Sequence, residues 1–126
     1  MLIVDGHLDL SMNAIQWDRD LLQSVYTIRA QENMNPQKGR ALGTVAFPEM
    51  RQGRIALSIA TLIARSTGHP VPGFDFRTPM QAYGMAHGQL AYYQALEKDG
   101  HIRIIKDADG LDAHMAEWQI WEEGAD

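Results

Sequence analysis

Three short apolar runs alternate with longer mixed stretches along the chain. Residues 2–9 begin with a β-branched run and end in polar residues, residues 55–64 are apolar on both faces, and residues 102–105 form a third run. Such runs have the length of buried strands, and apolar residues on both faces are typical of parallel sheets. We therefore predict three strands, near 2–9, 55–64 and 102–105.

Helical spacing follows the second and third predicted strands. Thr78 and Pro79 suit the N-cap and first position of a helix, and Gly100 suits the left-handed residue that ends one. Apolar residues at spacings of three and four predict a helix near 79–98, and a similar pattern predicts another near 110–121. The first of these apolar stripes consists of Tyr83, Ala86, Leu90, Tyr93 and Leu96.

The pattern is weaker between the first two predicted strands. Residues 13–25 suit a loop with a short helix, and residues 29–40 are polar, contain two breakers and predict an exposed loop. Pro48 can open one helical turn that Gly53 closes. Alternation of strands and helices indicates an α/β fold with parallel strands and right-handed crossovers.

Length and composition narrow the possible functions. The chain has 126 residues, enough for one ordinary domain but too short for a complete eight-stranded α/β barrel. Its net charge is −5 and it has no basic block, so we expect no nucleic-acid partner. Because it has no cysteine, a metal would have to be bound by nitrogen and oxygen ligands.

The sequence predicts neither a membrane partner nor a signal peptide. Only three apolar residues separate Met1 from Asp5, and no positive charge precedes them. The longest uncharged apolar-rich run, residues 55–64, is about half as long as a membrane-crossing helix. We expect a soluble, cytoplasmic protein.

Candidate chemistry is concentrated at the end of the first predicted strand. His7 and Asp9 are two residues apart, so their side chains project to the same side if the strand continues through them. An imidazole and a carboxylate there could bind one metal ion, or they could form a structural pair that hydrogen-bonds a loop. Asp5 could orient His7 or simply end the strand.

The residues around this pair resemble a family signature. Residues 4–10, Val-Asp-Gly-His-Leu-Asp-Leu, resemble the Asp-Gly-His-x-Asp-Leu motif that opens the membrane dipeptidase (renal dipeptidase-like) family of the amidohydrolase superfamily. Residues 47–64 are similar to the proline-led turn and apolar second strand of that family. Most amidohydrolases open with His-x-His, so His-x-Asp favours the dipeptidase branch. The resemblance covers the chain but only the first third or so of a family member.

The resemblance implies a metal-dependent hydrolase with a TIM (β/α)8 barrel, of which residues 1–126 would be an N-terminal fragment. It implies a binuclear zinc site with His7 and Asp9 on one ion, and a bridging Glu and two further His later in the chain. The activity implied is hydrolysis of a dipeptide by a zinc-activated bridging water. It also implies a possible homodimer and a fragment that is inactive alone.

Other residues carry weaker signals. Glu123 lies in a segment similar to that of the bridging Glu, but the preceding residues suit a helix, so we predict a helix end there. Trp17 could line a pocket or staple a loop. Arg40 and Arg65 could bind a substrate carboxylate or lie on the surface. No role is predicted for four other histidines, which are His69, His87, His101 and His114.

Two alternatives to a dipeptidase stay open at this stage. The metal and the barrel could serve another amide, an ester or a lactone, with manganese or iron in place of zinc. Alternatively, the chain is a non-enzymatic small α/β binding module in which His7 and Asp9 are structural. Such a module would fold cooperatively without metal.

Overall fold

A computed structural model describes residues 1–124, so the last two residues of the predicted domain lie outside the described residues. Within residues 1–124, two strands and five helices follow one another in a mixed order. The elements are β1 (Ile3–Leu8), α1 (Leu10–Ile15), α2 (Val25–Glu32), α3 (Phe47–Gln52), β2 (Ile55–Ala60), α4 (Pro79–Lys98) and α5 (Ala108–Gly124).

The two strands form a parallel sheet. Ile3 pairs with Ile55 and Leu8 pairs with Ala60, with register shifts between these positions. The crossover from β1 to β2 carries α1, α2 and α3, as parallel pairing requires. The described residues therefore form an α/β structure with parallel strands, whereas the complete barrel stays a prediction.

β2 is shorter than the predicted strand over 55–64. It ends at Ala60, because side chains, and not a neighbouring strand, form hydrogen bonds with the backbone of the residues that follow. The amide of Gln89 donates to the carbonyl of Ile63 and accepts from its N–H, both at 2.7 Å. The carbonyl of Thr61 accepts from the hydroxyls of Ser11 and Tyr93. These side-chain bonds satisfy the backbone polar groups without a neighbouring strand.

The predicted strand at 102–105 is wrong for the described structure. No ladder forms there, and the N–H of Ile104 donates instead to the Glu97 carboxylate at 2.8 Å. The segment connects α4 to α5, and a cavity of about 620 Å³ lies between it and β2. An extended apolar run becomes a strand only where another strand pairs with it.

α4 has the predicted bounds and end signals. Thr78 accepts from the N–H of Gln81, whose side chain in turn accepts from the backbone of Thr78, which is a capping box. Pro79 begins the helix, and Gly100 has the left-handed φ of +79° just beyond its end. Within residues 1–124, no helix is long and apolar enough to cross a membrane.

The buried face of α4 differs from the predicted stripe. Tyr93 and Leu96 are buried, but Tyr83 is 67% exposed and the polar Gln89 is fully buried. The face that enters the core thus includes a polar side chain. Tyr93 and Leu96 join residues of the crossover to form the core, which also contains Leu10, Leu21, Val25, Ile28, Ala46 and Phe47.

The sheet itself is less buried than its sequence suggests. Val4 in β1 is 58% exposed and Ile59 in β2 is 56% exposed, although both lie in runs that predict buried strands. The reason is that the described sheet has only two strands, and the helices of the crossover cover it incompletely.

The predicted exposed loop over 29–40 is wrong in its first part. α2 continues to Glu32, whose side chain turns inward and is 9% exposed. A hydrophobic pattern cannot reveal this, because a buried carboxylate looks like a surface one until its cationic partners are known.

Candidate functional site

His7 and Asp9 lie together where β1 ends. The Nε2 atom of His7 is 3.2 Å from the Oδ1 atom of Asp9. The His7 side chain is 73% exposed and the Asp9 side chain 30% exposed, so solvent reaches both. The predicted proximity of the two side chains is confirmed, whereas their role as metal ligands stays a prediction.

Asp9 stands at the N-cap of α1 but does not cap it. A side chain at this position usually accepts a hydrogen bond from the N–H of the second or third helical residue. The Asp9 carboxylate accepts none from α1 and meets His7 and the hydroxyl of Thr61 instead. Its charge is therefore available to a group outside the helix.

Asp5 contacts the backbone of His7 and not its ring. The N–H of His7 donates to Oδ1 of Asp5 at 2.9 Å. Of the two predicted roles, orientation of the imidazole receives no support from this contact. Asp5 fixes the backbone at the end of β1.

The chemistry and spacing of the pair fit part of a zinc site. Two ligand atoms bound at about 2.0–2.2 Å to a tetrahedral ion lie roughly 3.4 Å apart. The 3.2 Å between His7 Nε2 and Asp9 Oδ1 is close to that separation. Imidazole nitrogen and carboxylate oxygen are both common zinc donors. A catalytic zinc site normally has three protein ligands, so the pair supplies two of them.

Residues 1–124 bring no third His, Asp or Glu to this pair. Glu123 lies at the end of α5, as predicted, and its carboxylate accepts from Gln119. His114 bonds the carbonyl of Ala56 on β2 at 2.7 Å, a contact that the sequence did not predict.

A buried charge cluster lies in the crossover. The carboxylate of Glu32 accepts from Arg19 at 2.9 Å and from Arg40 at 3.1 Å, and Arg19 also donates to Asn13 and Gly39. Burial alone would raise the pKa of Glu32, but the hydrogen bonds and charges of the two arginines outweigh it and lower the pKa. Glu32 therefore stays ionised and paired.

Trp17 packs against this cluster. The guanidinium carbons of Arg19 and Arg40 lie 4.9 and 5.0 Å from its ring centroid, and the ring of Phe74 meets it edge-on at 4.9 Å. At Gly39 φ is +92°, and a Cβ there would stand 2.8 Å from the Trp17 ring. Trp17 thus holds the loop in place by packing against it, which is one of its two predicted roles.

Arg65 is held by a carboxylate of its own loop. Two guanidinium nitrogens donate to Asp75 at 3.1 and 3.0 Å, and the N–H of Val71 donates to the same carboxylate. The hydrogen bonds from Arg65 and Val71 lower the pKa of Asp75 to about 2. Arg40 and Arg65 are both paired with carboxylates of the chain, so their role toward a substrate carboxylate stays a prediction.

The cavity of about 620 Å³ reaches Leu10 and Tyr93 but does not include the candidate pair. It is bounded by β2, the segment 101–105 and the inner face of α5, and neither His7 nor Asp9 lines it. Its walls are mainly apolar, so it resembles an incompletely filled core more than a catalytic pocket.

Sequence reasoning missed Thr61, which contacts Asp9, and Tyr93, which contacts Thr61 and the start of α1. Thr61 lies inside a predicted strand, and the pattern predicts Tyr93 only as a core residue. One signal was present: Gln89 interrupts the apolar face of α4 four residues before Tyr93, and a buried amide requires partners.

Comparisons of the chain with protein-family models, with curated proteins and with solved structures find no match. The membrane dipeptidase resemblance therefore stays a prediction from residues 4–10 and their sequence context.

Proposed function

We propose that this chain is the N-terminal part of a zinc-dependent dipeptidase with a (β/α)8 barrel, in which His7 and Asp9 bind one zinc of a pair. The observation that carries the proposal is the 3.2 Å separation of a solvent-accessible imidazole nitrogen and a carboxylate oxygen. The resemblance of residues 4–10 to the dipeptidase signature supports the same function.

The position of the pair in the fold supports a functional role. Active sites of barrel enzymes lie at the carboxyl ends of their parallel strands. His7 is the penultimate residue of β1, and Asp9 follows the strand directly. A polar pair at this end of a parallel sheet therefore lies where a substrate would bind.

The charge of Asp9 also suits a cation. In the part of the chain that the structure describes, its only ion-pair partner is His7, which is neutral unless protonated. The carboxylate and a neutral imidazole would together donate one anionic and one neutral ligand. Bound zinc would supply Lewis acidity and an activated water for peptide hydrolysis.

The remaining parts of the proposal come from the resemblance. A bridging Glu, two further histidines and an Asp that handles protons would come from chain beyond Asp126. The substrate would be a dipeptide and the assembly a homodimer. We also propose a cytoplasmic location, which does not come from the resemblance. The fragment alone would be inactive, because two protein ligands hold zinc weakly.

The test uses the protein in its full reading frame. Zinc content and dipeptide hydrolysis are measured for the wild type, for His7→Ala and for the control His69→Ala, which changes an exposed loop histidine. We expect about two zinc ions per chain in the wild type and the control. His7→Ala should lose zinc and hydrolysis together.

Two results would contradict the proposal. A wild type that folds cooperatively without zinc and binds none would favour a non-enzymatic α/β module. Zinc binding with no dipeptide hydrolysis, but with turnover of another amide, an ester or a lactone, would keep the metal site and change the substrate.

A further inference from the structure

The N-terminus of α1 is capped by a distant residue. The N–H of Ser11, the second residue of α1, donates to the hydroxyl of Tyr93 on α4 at 3.1 Å in a buried position. This N–H is one that an N-cap Asp normally binds. Tyr93 therefore caps α1 in place of Asp9, and the Asp9 carboxylate accepts no hydrogen bond from the backbone of α1.

A second side chain holds the freed carboxylate. The hydroxyl of Thr61, the first residue after β2, donates to Oδ1 of Asp9 and also lies 3.5 Å from the carbonyl of Leu8. A carboxylate oxygen has two lone pairs, so Oδ1 can accept the hydrogen bond from Thr61 and still face His7. The contact fixes the rotation of the carboxylate beside the imidazole.

Thr61 is itself fixed from several sides. Its carbonyl accepts from the hydroxyl of Ser11 at 3.1 Å and from that of Tyr93 at 3.2 Å. Two residues later the fully buried amide of Gln89 binds both polar backbone groups of Ile63. The segment after β2 is thus rigid where its hydroxyl meets Asp9.

We propose that Thr61 is a positioning residue for the Asp9 carboxylate, and that Tyr93 makes this possible by capping α1 in place of Asp9. The inference rests on the proposed function, because orientation of the carboxylate matters only if Asp9 is a ligand. Carboxylates that bind metals are themselves commonly hydrogen-bonded, and these partners tune metal affinity.

The experiment compares zinc affinities in the full reading frame by competition with a chromophoric chelator. Thr61→Val keeps the shape of the side chain and removes the hydroxyl, Thr61→Ser keeps the hydroxyl, and Thr67→Val is a matched control in an exposed loop. We expect Thr61→Val to weaken zinc binding about 10- to 100-fold, and the other two variants to resemble the wild type.

A spectroscopic signature accompanies the affinities. With Co²⁺ in place of zinc, Thr61→Val should change the visible ligand-field bands, which report the ligand geometry, while Thr61→Ser should restore them. Circular dichroism of each variant shows whether the fold is intact. The backbone contacts of Thr61 do not depend on its side chain, so the fold should be kept.

The outcomes separate the two proposals. If the wild type binds no more zinc than His7→Ala, the proposed function fails and the inference falls with it. If His7→Ala loses zinc but Thr61→Val binds it as the wild type does, only the role of Thr61 is overturned. An equal loss in Thr61→Ser and Thr61→Val would also overturn it, since the hydroxyl would then not be the cause.

Discussion

Two carboxylates in this molecule have opposite surroundings. Glu32 is buried in the crossover, and the guanidinium groups of Arg19 and Arg40 bind both of its oxygens. Asp9 is partly exposed at the end of β1, and its partners are the hydroxyl of Thr61 and the ring of His7. One charge is neutralised within the fold, and the other is oriented without being neutralised.

The difference separates structural charge from available charge. Removing Glu32 from water is compensated only because two cations and several hydrogen bonds surround it. The Asp9 carboxylate is only partly desolvated, and its partners, a hydroxyl and an imidazole, leave room for a cation. A carboxylate beside hydroxyls and histidine is thus a better ligand candidate than one beside arginines.

Replacing Glu32 should produce the largest effect on stability. Glu32→Gln leaves two buried guanidinium groups without their counter-charge, so we expect the free energy of unfolding to fall by about 3–5 kcal/mol. Urea denaturation followed by circular dichroism measures it.

Two control variants set the scale for this effect. Glu117→Gln breaks an exposed pair with Arg103 and should cost less than about 1 kcal/mol. In metal-free protein, Asp9→Asn should change stability by less than about 0.5 kcal/mol. If Asp9→Asn were as destabilising as Glu32→Gln, the contrast between the two carboxylates would fail.

Replacing Tyr93 should have an intermediate effect. Tyr93→Phe leaves the buried N–H of Ser11 without its acceptor, which costs about 1–3 kcal/mol of unfolding free energy. Without the Tyr93 hydroxyl, the Ser11 N–H would compete with His7 and Thr61 for the Asp9 carboxylate. Tyr92→Phe, on the neighbouring ring, is the matched control in the same denaturation experiment, and equal losses in both variants would mean that the α1 cap contributes nothing.

A third carboxylate gives a smaller, pH-dependent effect. The pKa of Asp75 is lowered from 3.8 to about 2, so its bond to Arg65 stabilises the fold above pH 3.8 and is lost as the pH falls towards 2. The stability difference between the wild type and Asp75→Asn should therefore be full near neutral pH and shrink through that window. Denaturation curves from pH 2 to pH 7 test it, and a constant difference would contradict it.

The elements with strong local signals could be predicted. Thr78, Pro79 and Gly100 define the ends of α4, and the short apolar runs identify β1 and the start of β2. The end of β2 and the lack of a strand at 102–105 depend on two side chains of α4, Gln89 and Glu97, which bind backbone groups of other segments. Backbone pairing of this kind leaves no periodic trace in the sequence.

The candidate site was predictable in part. His7 and Asp9 stand out because they are two residues apart at the end of a predicted strand, and alternation along that strand predicts that they lie on one side. Thr61 and Tyr93 are about fifty and eighty residues away from them, and their roles arise from tertiary contacts. A hydroxyl in an apolar run has many possible partners, and only the fold selects one.

The charge cluster around Glu32 also bears on how the chain reaches its parallel pairing. The pairing of Ile3 with Ile55 closes a long loop, and the entropy lost grows by about 0.6 kcal/mol for each doubling of loop length. Arg19, Glu32 and Arg40 all lie inside that loop. Their contacts draw its middle together and shorten the free chain that the two strands must close. The cluster therefore lowers the entropic cost of pairing β1 with β2, although none of its residues belongs to either strand.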